Sequence, residues 1–467
     1  MHPSDPTFGA LLVVLVHVGF ATVAGGHALL TKPDPRSAFG WIVVCWLFPL
    51  AGPCLYGLFG INRVRSRARR LRSPPRVTEH HLPTSVPSED PTAQLARIGD
   101  AVTQWPQVPG NSVEPLENGE NAFPPMLEAI GGAQSSVWLA TYIFDTDETG
   151  RKFVEALAAA VDRGVEVRVL VDGVGEWYSW PHVVPILRRR GVRAARFLPP
   201  SLLPPKLSVN LRNHRKLLVV DGKTAFLGGM NLGGREVGKG SHRMADLHFQ
   251  VAGPVVTQLA QSFAIDWQFA SKEVLQINRA ATTSGNCLCR VITEGPDEDA
   301  DKLLSVILGA LSVARRQVLI MTPYFIPSPG LTAALQSAAL RGVEVCIVLP
   351  AQSNLLYVDW ASRRWLPPLL ARGVRIYLQP KPFAHTKLLV VDSAYAQIGS
   401  ANLDPRSLQL NFEIAMEIYS SAVCRRLDAY VMAARAKSTL FVSEMVARQS
   451  VLVRIRNSLM WLLSPYL

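Results

Sequence analysis

Two apolar runs open the chain. Residues 8–30 give about 23 consecutive positions, and residues 38–61 about 24, without an Asp, Glu, Lys or Arg. At about 1.5 Å per residue each run is long enough to cross a hydrocarbon core as a helix, so the pair predicts a two-helix transmembrane hairpin over residues 1–62. A cleaved leader is the rival reading of the first run, but Met1 to Thr7 contain no Lys or Arg and the run is long for a leader's apolar part. His17 and His27 read as packing or interfacial groups, and Pro49 and Pro53 are tolerable where neighbours satisfy the freed carbonyls.

From about Val113 the pattern changes. Short apolar runs rich in β-branched residues alternate with Ala- and Leu-rich segments, which predicts strands alternating with helices in a layered α/β fold. The pattern occurs twice. Val137-Trp138-Leu139-Ala140-Thr141-Tyr142-Ile143-Phe144 matches Val318-Leu319-Ile320-Met321-Thr322-Pro323-Tyr324-Phe325-Ile326, with one extra residue in the second copy. Arg163-Gly164-Val165 returns as Arg341-Gly342-Val343, and Arg190-Gly191-Val192 as Arg372-Gly373-Val374. The segments before the first of these Arg-Gly pairs, 153–161 and 331–340, read as helices that the glycine stops. The short polar stretch 282–286 divides the repeats into a first half, 113–284, and a second, 285–467.

Between hairpin and repeats lies a basic juxtamembrane segment and linker, 63–112. Arg63, Arg65, Arg67, Arg69, Arg70 and Arg72 precede any acid, whereas the loop between the apolar runs holds only Lys32 and Arg36. The positive-inside rule then places the body of the protein in the cytoplasm. Residues 73–91, rich in Pro, Ser and Thr, read as a mobile tether. At the other end, residues 446–467 mix Arg448, Arg454 and Arg456 with Leu452, Ile455, Leu459 and Trp461 at helical spacing. That amphipathic tail suits either the enzyme body or a bilayer interface.

Charge narrows the partners. A net charge of +12 on 467 residues points to an anionic partner, and 48% hydrophobic residues is high for a soluble enzyme. Nucleic acid and acidic lipid headgroups both qualify; an Arg cluster beside a membrane helix favours lipid. Six scattered cysteines give no disulfide framework and no zinc spacing, which fits a reducing compartment.

The repeated chemistry is a motif. His214-Arg215-Lys216 leads through Leu217-Leu218-Val219-Val220 to Asp221-Gly222, then Gly228-Gly229-Met230-Asn231; His385-Thr386-Lys387 leads through Leu388-Leu389-Val390-Val391 to Asp392, then Gly399-Ser400-Ala401-Asn402. In both copies Lys follows His by two, Asp follows Lys by five and Asn follows His by seventeen. A lone histidine is usually a satisfied core residue; matched contexts at identical spacing are not chance. Side chains alternate along a strand, so His and Lys share a face, and a cation beside an imidazole above a Gly-rich turn suits an anionic phosphate. Two such halves about a pseudo-two-fold supply one imidazole to attack phosphorus and one to protonate the leaving oxygen. Lys216, Lys387, Asn231 and Asn402 would hold the non-bridging oxygens. Asp221 and Asp392 complete the motif, but at the strand end they read as holding the turn.

At these residues the chain resembles the phospholipase D superfamily and, within it, the bacterial cardiolipin synthases. The likeness is greatest from Gly399-Ser400-Ala401-Asn402-Leu403-Asp404-Pro405-Arg406-Ser407 to Asn411-Phe412-Glu413, and it runs to the terminal Pro465-Tyr466-Leu467. It implies two phospholipase D-type α/β/α sandwich halves behind the hairpin. It implies His214 as the nucleophile that forms a covalent phospho-histidine and His385 as the acid that becomes the base. Asp246 and Glu413 would orient the imidazoles, each serving the His of the opposite half. His248, with no counterpart in the second half, reads as structural. The implied reaction moves a phosphatidyl group from one phosphatidylglycerol to another and releases glycerol, with no cofactor and no metal, on anionic membrane lipids rather than nucleic acid. A phospholipase D that transfers to water, a phosphatidylserine synthase-like enzyme and a non-catalytic membrane scaffold are the alternatives. The implied location is the bacterial inner membrane, multi-pass, with the catalytic part cytoplasmic.

Overall fold

The structure, a computed structural model, describes residues 6–32, 34–60, 90–103, 105–202, 205–206, 211–238, 243–277, 282–296 and 301–464. The chain divides into two compact units, Met1–Leu71 and Arg72–Leu467. The basic segment 63–72, most of the tether and the terminal Pro465 to Leu467 lie outside the described residues.

In the first unit a 26-residue helix, Pro6–Thr31, is followed by a 13-residue helix, Pro35–Leu47, which Asp34 caps by accepting from Arg36 N and Ser37 N. The second apolar run is not one continuous helix. Its first piece covers about 20 Å, short of a hydrocarbon core of about 30 Å. The chain then breaks at Phe48 to Leu50, where Pro49 lacks an N–H and Leu50 takes a φ of 56°. A short helix, Ala51–Leu55, and a wide turn, Tyr56–Gly60, follow. The two histidines of the first run hold the break: His17 Nδ1 accepts from Leu50 N at 3.3 Å, and His27 Nδ1 lies 2.6 Å from the Tyr56 hydroxyl. Among the described residues one helix, Gly9–Thr31, is long and apolar enough to cross a membrane.

The second unit is built on one fifteen-stranded sheet. The first half contributes β1 (Val108–Glu117), β2 (Ser136–Thr141), β3 (Glu166–Asp172), β4 (Arg193–Phe197), β5 (Leu217–Val220), β6 (Thr224–Gly228) and β7 (Leu247–Ala252). The second contributes β8 (Cys287–Glu294), β9 (Gln317–Met321), β10 (Glu344–Pro350), β11 (Arg375–Gln379), β12 (Leu388–Val391), β13 (Tyr395–Gly399), β14 (Glu413–Tyr419) and β15 (Thr439–Phe441). The order β15-β11-β10-β9-β12-β13-β14-β8-β1-β7-β6-β5-β2-β3-β4 reads the same from either end, apart from the added β15. That is the signature of a pseudo-two-fold between β1 and β8. The motif strands β5 and β12 are wholly buried and paired on both sides, which explains their unbroken Leu-Leu-Val-Val runs.

The ladders align the repeats without the extra residue expected from sequence. Val137 pairs with Val220 as Val318 pairs with Val391, and Phe144 bridges Leu232 as Phe325 bridges Leu403. Ile143 therefore stands where Tyr324 stands, and Tyr142 where Pro323 does. Each half has its own core, centred on Phe123, Phe153 and Phe226 in the first and on Val306, Ile307 and Leu335 in the second.

A helix, Pro91–Val102, lies in the stretch that composition assigns to the linker. Its Leu95 is buried in the second half's core, and Asp100 and the Ala96 carbonyl both bind Arg290. Arg290 is fully buried on β8 and donates to Glu417 of β14 at 2.6 Å, so an ion pair sits at the centre of the sheet.

Candidate active site

Each motif strand is entered through a contact with the opposite half. His214 N donates to Phe412 O at 2.9 Å and Phe412 N to Arg212 O at 2.8 Å; Phe383 and Ala384 pair with Met244 and Ala245, and His385 N donates to Ala245 O at 2.7 Å. This exchange sets each imidazole beside the acid at the start of the other half's long strand. Glu413 lies 3.0 Å from His214 Nδ1, and Asp246 lies 2.8 Å from His385 Nδ1. A carboxylate on Nδ1 fixes the tautomer and leaves Nε2 to meet phosphorus or a leaving oxygen. Glu413 is held in turn by the Ser400 hydroxyl at 2.5 Å and Asn411 Nδ2 at 3.1 Å. Arg215, also fully buried, ties the first motif to Asp266 at 2.9 Å and to the Glu413 carbonyl at 3.0 Å.

Burial governs the protonation states. It pushes His214 below its ordinary value against the pull of Glu413, and it carries His385, with the help of Lys387, down to about 4. Lys216 is pushed down to about 7 by burial, and Lys387 is lowered for the same reason. Burial alone would raise Asp246 and Glu413. The Lys387 charge and the His385 contact overcome it at Asp246, and the His214 and Lys216 charges overcome it at Glu413, so both carboxyls sit below their ordinary range. Burial thus favours neutral imidazoles over two carboxylates and lowers both amines beside them. An incoming phosphodiester anion would favour the protonated form of every base facing it.

Lys216 Nζ donates to the His214 carbonyl at 2.7 Å and Lys387 Nζ to the His385 carbonyl, so each amine stays on its histidine's side of the strand. Asn231 spends its Oδ1 on Ile143 N at 3.2 Å, and Asn402 is buried with its Oδ1 unpartnered among the described residues. Asp221 and Asp392 lie at the far end of the motif strands. Asp221 accepts from Gln134 N, Ser135 N and Ser136 N, and Asp392 from Arg315 N, Arg316 N and Gln317 N, at 2.7–3.2 Å. His248 is buried within reach of the Asp246 and Lys216 charges; its Nδ1 has no partner among the described residues, and burial pushes it down to about 4.

Sequence reasoning missed several neighbours. The Tyr142 ring meets His214 edge-on at 5.2 Å with Lys216 Nζ 5.6 Å from its centre, and Phe383 lies 6.0 Å from the His385 ring. Glu236, five residues after Asn231, is buried beside Asp246 and the two lysines; burial first, and then the Asp246 charge, raise it to about 8. An open cleft of about 690 Å³ lies between the halves, with Arg235 and Arg243 on one wall and Asn354, Lys381 and Phe383 on the other. Among the described residues no three His, Cys, Asp or Glu side chains are grouped to hold a metal ion.

A family model described as "Cardiolipin synthase, PLD-like domain" matches residues 126–267 and 307–434. A cardiolipin synthase of Oceanobacillus iheyensis is 30% identical over 98% of this chain and 99% of its own. The major cardiolipin synthase of Bacillus subtilis is 31% identical over 93% of this chain and 95% of its own. A phosphatidylserine synthase structure from Haemophilus influenzae superposes with a TM-score of 0.60 at 14% identity, covering 80% of this chain and all of that one, and so shares the fold. Two phospholipase D-like segments, one on each side of the pseudo-two-fold, and relatives that match from end to end lead to one conclusion: the chain belongs to the cardiolipin synthase family, phosphatidyltransferases of the phospholipase D superfamily.

Proposed function

We propose that the protein joins two phosphatidylglycerol molecules into cardiolipin and releases glycerol. The observation that carries this reading is the crosswise pairing of His214 with Glu413 and His385 with Asp246. In the first step His214 Nε2 attacks the donor phosphorus, the bond to the glycerol oxygen breaks, and a protonated His385 gives that oxygen its proton. A phosphatidyl-histidine and free glycerol result. In the second step neutral His385 takes the proton from a glycerol hydroxyl of a second phosphatidylglycerol, whose oxygen attacks phosphorus and frees His214. Lys216, Lys387 and the amide donors of Asn231 and Asn402 hold the non-bridging oxygens as charge builds.

The halves 113–284 and 285–467 act as one catalytic unit, and residues 1–62 anchor it with both apolar runs inserted in the bacterial inner membrane. The Arg cluster at 63–72 puts the catalytic unit on the cytoplasmic side. A reporter fused after Arg72 checks that side; a periplasmic signal would overturn it.

The reaction is tested with purified full-length protein in phosphatidylglycerol vesicles containing a chelator. Cardiolipin and glycerol should appear in equal amounts with little phosphatidic acid, and excess glycerol should lower the cardiolipin yield by attacking the phosphatidyl-histidine and running the first step backwards. Phosphatidic acid as main product would mean a hydrolase. Turnover only after a cytidine-activated lipid is supplied would mean a different donor.

A further inference from the structure

Large apolar side chains face solvent on two loops that adjoin the cleft walls. After β3, Trp177, Tyr178 and Trp180 are 61%, 54% and 83% exposed. In the corresponding place after β10, Leu356 and Tyr357 are 60% and 42% exposed. Isolated exposed apolar residues are ordinary, but two matched clusters on pseudo-symmetric loops are not.

Both loops are fastened to the cleft. On the first half, Ser179 Oγ lies 2.8 Å from Thr146 Oγ1 and the Pro181 carbonyl accepts from it at 3.0 Å, one residue before Asp147 of the cleft wall. On the second half, Asn354 of the cleft wall accepts from the Tyr324 hydroxyl at 2.7 Å, two residues before Leu356. Aromatic contacts then run inward from each loop. Tyr178 meets Tyr142, which meets His214, and Tyr324 meets Phe383, which meets His385.

The charge beside the mouth is positive. The helix Val451–Leu462 lies along the helix Leu356–Arg363, and its only charged side chains are Arg454 and Arg456. Its Leu452 is 78% exposed and Arg454 is exposed beside it, so its free face is apolar and basic together, while Arg456 packs over the Trp360 ring of the neighbouring helix. Trp and Tyr at an edge, aliphatic side chains between and Arg alongside make the composition of an interfacial surface, one that fits an anionic bilayer rather than an acidic soluble partner.

We propose that Trp177, Tyr178, Trp180, Leu356 and Tyr357 form a rim that seats the cleft mouth in the interface of an anionic bilayer, so that lipid passes from the leaflet to the histidines without crossing water. This rests on the lipid-transfer reading above.

The test uses the full chain in phosphatidylglycerol vesicles doped with brominated lipid. Cys54, the exposed cysteine among five buried ones, is first replaced by Ser. A fluorophore is then placed by Trp180→Cys or, as control, by Lys223→Cys in the exposed turn at the opposite end of the motif strand from His214. The label at 180 should lose at least half its emission and the label at 223 under a tenth. In parallel, the double variant Trp177→Ala/Trp180→Ala should lose at least tenfold turnover on vesicles and stay within twofold on monomeric short-chain phosphatidylglycerol. Equal quenching at both positions, an unquenched label at 180 as when another protein covers the rim, or equal losses on both substrates would overturn the proposal. No cardiolipin from the unmodified enzyme on either substrate would refute the transfer reading, and the quenching would still decide the docking.

Discussion

Replacing Glu413 by Gln keeps volume and removes charge at the point where the two halves serve each other. Glu413 is fully buried and meets three donors: His214 Nδ1 at 3.0 Å, the Ser400 hydroxyl at 2.5 Å and Asn411 Nδ2 at 3.1 Å. A carboxylate can accept all three; an amide has one acceptor oxygen. His214 Nδ1 lies 3.0 Å from one carboxylate oxygen and 3.1 Å from the other, so whichever way the amide turns, its NH2 also stands against Nδ1 and favours the tautomer whose proton sits on Nε2, which blocks attack. Loss of a hydrogen bond to a charged group costs about 1.5–3 kcal/mol, or roughly 10- to 150-fold. A wrong tautomer behind a catalytic imidazole has cost about 10⁴-fold in the serine-protease triad. The expected outcome is a fall in kcat of about 10²- to 10⁴-fold with KM within about threefold, since the lysines and asparagines proposed to hold the phosphate are untouched. The assay is initial-rate formation of cardiolipin by reconstituted protein, with folding checked by thermal unfolding. A folded Glu413→Gln variant with kcat within threefold of the parent would refute the idea that Glu413 governs His214.

kcat/KM should be bell-shaped in pH. Lys216, pushed down to about 7, loses its charge as pH rises through that value, so binding of the anionic donor weakens above about pH 7. His214, lowered by burial, stays unprotonated and competent below the usual imidazole value of about 6.5, so the acid limb lies lower than that. A profile flat from pH 7 to 9 would contradict the Lys216 reading, and Lys216→Arg should move the alkaline limb up. Arg290→Met leaves Glu417 buried without its cation, held by the Tyr395 and Tyr419 hydroxyls, and should cost about 3–5 kcal/mol of stability, read as an earlier urea midpoint in the catalytic unit. Asp221→Ala removes the acceptor of three backbone N–H groups far from the imidazoles; stability should fall by about 1–3 kcal/mol while kcat of the folded fraction stays within about threefold.

What the sequence carried was local and repeated. The motif strands could be read because burial on both faces demands an unbroken apolar run, and the face shared by His and Lys follows from strand alternation. The crosswise clamps could not be measured there, since His214 and Glu413 are 199 residues apart, and His385 and Asp246 139. Tyr142 and Phe383 were invisible for the same reason. The second apolar run shows a different limit: hydropathy counts residues that lipid tolerates but not the direction of the chain, and the break at Phe48 to Leu50 depends on Pro49 and on His17 of the first helix. The helix Pro91–Val102 carries its own start signal, Asp90 as cap and proline in its first turn, but the Pro-, Ser- and Thr-rich stretch before it gives the linker reading instead. Its burial against the second half could not be read, because the partners Ile307 and Arg290 lie some 200 residues on.

The central claim is that the phosphatidyl group rides on His214 while His385 moves the proton. It is tested by mixing the full-length enzyme with phosphatidylglycerol, quenching in alkali within the first turnover and digesting for mass spectrometry. The account predicts a phosphatidyl adduct on the peptide containing His214, formed in step with released glycerol and discharged to cardiolipin when fresh lipid is added. An adduct on His385 instead, or cardiolipin formed with no histidine adduct at any quench time, would contradict it.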